Sequence, residues 1–190
     1  MSPRLFVISG PSGVGKGTLI TRVRDLVADL EVATSATTRE PRPDERDGRE
    51  YHFLSDDEFA RRVAAGEFLE HVRYAGNRYG TLRSEVDRRL AEGKSVVLEI
   101  EVVGAREIQR RMPEAVLVFV APPTFADLEQ RLRVRGSDSP DAIANRIAIA
   151  RDEMDAQPEF QETIVNDDVD RAARQLAELV RKATRIGEAS

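Results

Sequence analysis

Residues 5–18 read LFVISGPSGVGKGT and divide into three parts. Leu5 to Ser9 is a short apolar run closed by Gly10, the composition of a buried strand. From Thr18 to Leu30 the apolar residues Leu19, Ile20, Val23, Leu26, Val27 and Leu30 recur at helical spacing. Between them lie Gly10, Pro11, Ser12, Gly13, Val14, Gly15, Lys16 and Gly17. A loop that cradles phosphate needs backbone N–H groups turned inward, a helix N-terminus behind them and one cation. Glycine adopts the backbone angles such a loop requires, and Lys16 is the cation. The usual pattern is G-x-x-x-x-G-K-[ST]. Here Gly17 stands between Lys16 and the hydroxyl of Thr18. One extra residue turns that hydroxyl about 100° further round a helix, so Thr18 is a metal-ligand candidate displaced from the usual place. We read the loop as a holder of the phosphates of ATP or GTP.

The rest of the chain supports an α/β architecture. SVVLEI at 95–100 and AVLVFVA at 115–121 are further buried strands, and TIVN at 163–166 is a shorter one. Helical patterns follow each of them, ending with Val169 to Arg185. In the pattern at 139–154, Ser139 is the expected N-cap and Pro140 the first helical residue. Strands alternating with helices imply a parallel sheet covered on both faces. Residues 34–85 interrupt the alternation. TSATTREPRPDERDGREYHF is polar and extended, Ser55 and Glu58 form a capping box for a helix ending at Gly66, EFLEHVRYA is a strand, and a helix runs to Gly93. This segment is expected to be an insert with its own site.

Composition narrows the function. With 190 residues, 41% of them hydrophobic, the chain is sized for one compact domain with an insert. A net charge of −5 argues against a general nucleic-acid or membrane surface. There are no cysteines, which excludes disulfides and thiolate metal sites. No apolar run is long enough for a signal peptide or a membrane span, so the expected location is cytoplasmic. Neither a monomer nor a homo-oligomer is favoured.

A nucleotide loop alone fits an ATPase, a switch or a kinase, but a kinase needs a second site. The insert supplies Arg39 and Arg42, whose guanidinium forks match phosphate oxygens. It also carries Tyr51, Glu70, Tyr79 and Thr81. SGPSGVGKGT, TTREPRPDERDGREYHF, GEFLEH, GNRYGT, RLRVRG and VND, in this order and spacing, resemble guanylate kinase along nearly the whole chain.

That resemblance implies transfer of the γ-phosphate of ATP to GMP with Mg2+. It implies a P-loop NTP hydrolase fold: a parallel sheet core at 1–33, 86–125 and 156–190, a small mixed α/β GMP-binding insert at 34–85 and a helical lid at 126–155. Gly10 to Thr18, with Lys16 central, match the ATP phosphate site, and Arg131 and Asn166 also fall on the ATP side. Arg39, Arg42, Tyr51 and Tyr79 match residues that grip the GMP phosphate. Ser35, Glu70 and Thr81 match those that read guanine, with Gly80 and Glu99 lining the same site. Lys16, Arg39, Arg135 and Arg146 are the expected catalytic cations. No general base or nucleophile is needed, because phosphoryl transfer depends on positioning and charge stabilisation. Guanine offers adjacent N1–H and amine donors that one carboxylate accepts. Adenine lacks that pair and would leave Glu70 unsatisfied.

Three residues depart from the family pattern. Gly17 precedes Thr18, Ala36 replaces a more polar residue, and Glu101 stands where aspartate is common. Glu99 and Glu101 lie two apart, on one side of a strand, so both are expected at the crevice at the sheet's carboxyl edge. Rival readings are an adenylate kinase-like or ribose bisphosphate kinase on a similar frame, and an inactive guanylate-kinase-like module that binds phosphopeptides.

Overall fold

The computed structural model describes residues 2–74, 76–134 and 140–186. Its core is a five-stranded parallel sheet. Strand β1 (Leu5–Ser9) lies at the centre, followed by helix α1 (Lys16–Leu26) and edge strand β2 (Leu30–Val32). Three further strands join this sheet after an excursion: β7 (Ser95–Glu99), β8 (Val116–Ala121) and β9 (Glu162–Val165), in the order β2-β7-β1-β8-β9. The excursion builds a second sheet of four strands. These are β3 (Ala36–Thr37), β4 (His52–Phe53), β5 (Phe68–Tyr74) and β6 (Asn77–Leu82), in the order β4-β3-β6-β5. Helix α2 (Asp56–Ala64) lies within the excursion, and α3 (Arg83–Ala91) leads back to the core.

The period of two along the buried strands sorts the side chains into two cores. Phe6, Ile8, Val97, Val118 and Val120 face one side, where α1 and α7 (Val169–Ile186) supply Leu19, Val23, Leu176 and Val180. Leu5, Val7, Val96, Leu98, Leu117 and Phe119 face the other, covered by Val102, Ala105 and Ile108 of α4 (Val102–Arg111). A smaller cluster of Ala36, Phe59, Phe68 and Leu82 holds the second sheet against α2. The Phe59 and Phe68 rings stack there with centroids 4.4 Å apart. Ser55 caps α2 as expected, its Oγ accepting the Glu58 N–H at 3.1 Å, and the Glu58 carboxylate accepts from Arg62 Nε at 2.6 Å.

Two expectations from the sequence change. The helix expected from Thr18 to Leu30 ends at Leu26, and Leu30 belongs to β2. Val27 and Leu30 continue a three-residue spacing, but Leu30 is buried because β2 pairs with β7. Residues 78–81, to which periodicity assigned no element, lie within β6. They pair with β5 across the turn at 76 and with β3. NRYGT lacks an apolar alternation, so only its pairing partners reveal it as a strand.

Two more helices, α5 (Phe125–Val134) and α6 (Pro140–Asp155), occupy the segment expected as a lid. Ser139, the expected cap of α6, lies outside the described residues.

Candidate active site

The loop after β1 sits at the carboxyl end of the central strand, where ligands bind in open parallel sheets. Gly10 and Gly15 are required by geometry. Gly10 has φ +139°, and a Cβ there would lie 2.3 Å from the Val120 carbonyl oxygen. Gly15 caps α1 at φ +96°, and a Cβ would lie 2.7 Å from Asn166 Nδ2. Lys16 opens α1 and curls back, its Nζ donating to the Gly10 carbonyl at 2.5 Å and the Pro11 carbonyl at 3.3 Å. The outer side of the loop is pinned at Val14. Asn166 Nδ2 donates to the Val14 carbonyl at 2.8 Å, and Arg131 Nη1 reaches the same oxygen at 3.4 Å. Arg131 also donates to the Asn166 carbonyl at 3.3 Å. Gly13, Thr18, Arg131, Asn166 and Val169 line a side cavity next to the loop.

Helix α6 grips the loop at Ser12. Arg146 Nη2 donates to Ser12 Oγ at 3.3 Å, and Glu153 Oε2 accepts the Ser12 backbone N–H at 3.2 Å. Burial raises the Glu153 carboxyl well above the ordinary range, and a hydrogen bond with Glu101 raises it further, against the pull of Lys16.

One cleft of about 580 Å³ joins the two sheets. Ser12, Gly13, Gly15, Lys16, Gly17 and Thr18 form one wall. Ser35, Tyr51, Glu70, Tyr79 and Gly80 line the opposite wall. Glu99, Ile100 and Glu101 form the floor between them. Glu70 is 2% exposed, and Thr81, fully buried on the neighbouring strand, donates to its Oε1 at 2.8 Å. Burial pushes the Glu70 carboxyl up to about 7, while the Thr81 hydroxyl pulls it down. Desolvation in the cleft also raises the Glu99 carboxyl, with Lys16 opposing, although Glu99 as a whole is solvent-exposed.

The structure thus brings Lys16, Ser35, Tyr51, Glu70, Tyr79, Gly80, Glu99 and Thr18 into one cleft, with Thr81 behind Glu70. Arg39 stands beside it rather than in its lining. Its Nη2 binds both Glu45 oxygens, at 2.8 and 2.9 Å, and its guanidinium lies 5.4 Å from the centroid of the Tyr51 ring. Arg42 is exposed, and its backbone N–H donates to Glu45 Oε2 at 2.8 Å. Arg135 lies outside the described residues. Motif reading missed Glu45, Glu101 as the partner of Glu153, and Glu153 itself. Glu45 sits inside the quoted TTREPRPDERDGREYHF, so its nearness to Arg39 was a usable signal. Glu153 has no such signal, being 141 residues from the amide it binds.

A parallel core whose lysine-bearing glycine loop lines one cleft together with polar side chains of a second sheet defines a P-loop kinase. The family model for guanylate kinase matches residues 2–183. A guanylate kinase of Frankia casuarinae is 53% identical over 176 residues, covering 93% of this chain and 96% of its own. One of Streptomyces coelicolor is 49% identical over 177 residues, covering 93% and 90%. The crystal structure of guanylate kinase from Anaplasma phagocytophilum superposes with a TM-score of 0.76 at 27% identity, covering 96% of this chain and 87% of its own. The chain belongs to the guanylate kinase family.

Proposed function

We propose that this enzyme transfers the γ-phosphate of ATP to GMP, giving ADP and GDP. One observation carries the reading: a buried carboxylate, Glu70, and the glycine-loop Lys16 line a single cleft. In its ionised form Glu70 accepts both N1–H and the exocyclic amine of guanine, with Thr81 fixing one oxygen. Tyr51, Tyr79, Arg39 and Arg42 hold the acceptor phosphate, for which Arg39 keeps its fork oriented through Glu45. Lys16 and the loop amides hold the donor phosphates. Arg146, with Arg135, stabilises charge on the group in transit.

The residues present fit Mg2+, which takes oxygen ligands and usually one or two protein carboxylates with substrate phosphates and water. Among the described residues no group of three acidic or imidazole side chains converges on one point, so a dedicated all-protein cage is absent. Gly17 leaves open the direction a side chain would take, since a Cβ there would sit 3.5 Å from Glu99 Oε2. Glu99 and Thr18 are the residues that would hold the ion together with the phosphates. It would supply positive charge across the donor phosphates.

We assign the donor site to residues 1–33, 86–125 and 156–190, the acceptor site to 34–85, and a closing lid to 126–155. Lid closure would exclude water and limit ATP hydrolysis. Among the described residues no helix is long and apolar enough to cross a membrane, and we place the activity in the cytoplasm with ATP and GMP as its small-molecule partners. A coupled assay of ADP release with GMP, AMP and a ribose bisphosphate tests the reading. Turnover is expected with GMP far above the other two. Protein that binds ATP yet never phosphorylates GMP in the presence of Mg2+ overturns it.

A further inference from the structure

Helix α4 contains a glycine where helical propensity argues for alanine. Gly104 is buried in its first turn, where glycine is a poorer helix former than alanine. Its backbone conformation is ordinary, so no turn or left-handed angle demands it. The space around it does. A Cβ at 104 would lie 2.8 Å from Glu70 Oε2, 3.3 Å from the carboxyl carbon of Glu70 and 3.3 Å from Ile100 Cδ1. The nearest of these atoms belongs to the carboxylate that faces the cleft.

Other contacts hold α4 in that place. Arg111 Nη1 donates to the Phe68 carbonyl at 2.8 Å, and Glu107 Oε2 accepts the His71 backbone N–H at 3.3 Å. Both contacts go to β5, on either side of Glu70. Glu107 and Arg111 are themselves paired at 2.6 Å. Gly104, Glu107 and Arg111 fall at spacings of three and four, one face of the helix. The Glu70 carboxylate is thus caught between the Thr81 hydroxyl on one oxygen and the bare α4 backbone at the other.

We propose that Gly104 is a positioning residue for base selection: by lacking a side chain it fixes the plane of the Glu70 carboxylate that reads guanine. The proposal rests on the assignment of Glu70 as that reader. The clashing atom is the far end of a flexible side chain, so a methyl group at 104 displaces the carboxylate rather than the helix.

The test is a cycle of Gly104→Ala, Glu70→Ala and the double variant, with Val103→Ala, an exposed neighbour on α4, as control. KM for GMP, KM for ATP, kcat and the urea midpoint are measured for each. Gly104→Ala is expected to raise KM for GMP by about tenfold, as sub-ångström misplacement of a binding group does. KM for ATP should be unchanged and the urea midpoint no lower than in the parent. The GMP effect should vanish when Glu70 is already alanine. An unchanged KM for GMP in Gly104→Ala overturns the proposal, and so does an equal rise in the Glu70→Ala background. If Glu70→Ala alone leaves KM for GMP unchanged, the guanine reading of Glu70 fails first and the proposal falls with it. Should Gly104→Ala not fold, the double variant, which lacks the clashing carboxylate, is expected to fold; if it does not, the proposal is overturned.

Discussion

Glu70 carries a cost that its proposed role explains. Its carboxyl titrates near 7 because burial penalises the charged form, against an ordinary value of 4.5. The sign follows from linkage. A carboxyl raised in the folded state favours folding while protonated, and that contribution is lost as pH rises from 4.5 towards 7. Replacing it by glutamine removes the charge but keeps an acceptor for the Thr81 hydroxyl. Glu70→Gln should therefore be more stable than the parent at pH 8, by on the order of 3 kcal/mol at most, with much of the gain gone at pH 4.5. Urea denaturation at the two pH values reads this directly, and an equal gap at both would remove the burial argument. The same variant should lose discrimination between GMP and AMP while ATP binding holds. Unchanged use of both acceptors would mean that Glu70 does not read the base.

The phosphate loop shows how far local sequence reaches. Its glycines and lysine were legible because backbone geometry at a strand-to-helix turn depends on the residues of the turn itself. Gly15 illustrates the point twice over, through its left-handed angle and its contact with Asn166. Gly15→Ala should lose about 1–2 kcal/mol of stability from the angle alone. It should also weaken ATP binding, measurable by calorimetry, because the amides that follow are tilted. A variant with wild-type ATP affinity would show that the loop does not hold the donor phosphates. What α6 adds was not legible. Arg146 was expected through a family match, but its contact with Ser12 and the Glu153–Ser12 bond join segments more than a hundred residues apart. Short elements were hidden for a different reason. The two-residue strands β3 and β4 carry no period, and β2 was masked by helical spacing running on through Val27 and Leu30.

The two sheets are joined by the chain at 33–35 and again through α3 and the turn after it, 83–94, and one charged cluster links both connections. Glu85, in the first turn of α3, accepts the Thr34 backbone N–H at 3.3 Å. Arg89 pairs with Glu85 and, through Nε at 3.1 Å, with Glu31 on β2. Burial alone would raise the Glu85 carboxyl, but Arg89 holds it below the ordinary value. Arg89 is 8% exposed, so its pairs are less screened than those on the surface. Arg89→Ala removes the closest counter-charge of Glu85, leaving Arg88 at 3.8 Å and His52 at 3.5 Å, and should lower the unfolding free energy by about 2 kcal/mol. The lowered Glu85 carboxyl sets the pH window. Its stabilising contribution is present above 4.5 and is lost as pH falls through the depressed folded value. The gap between parent and Arg89→Ala should then be full at pH 7 and shrink below pH 4.5. Urea midpoints across that range are the measurement. A gap that stays constant into acid would assign the loss to the packing of the Arg89 stem rather than to its charge, since the aliphatic part contributes equally at every pH.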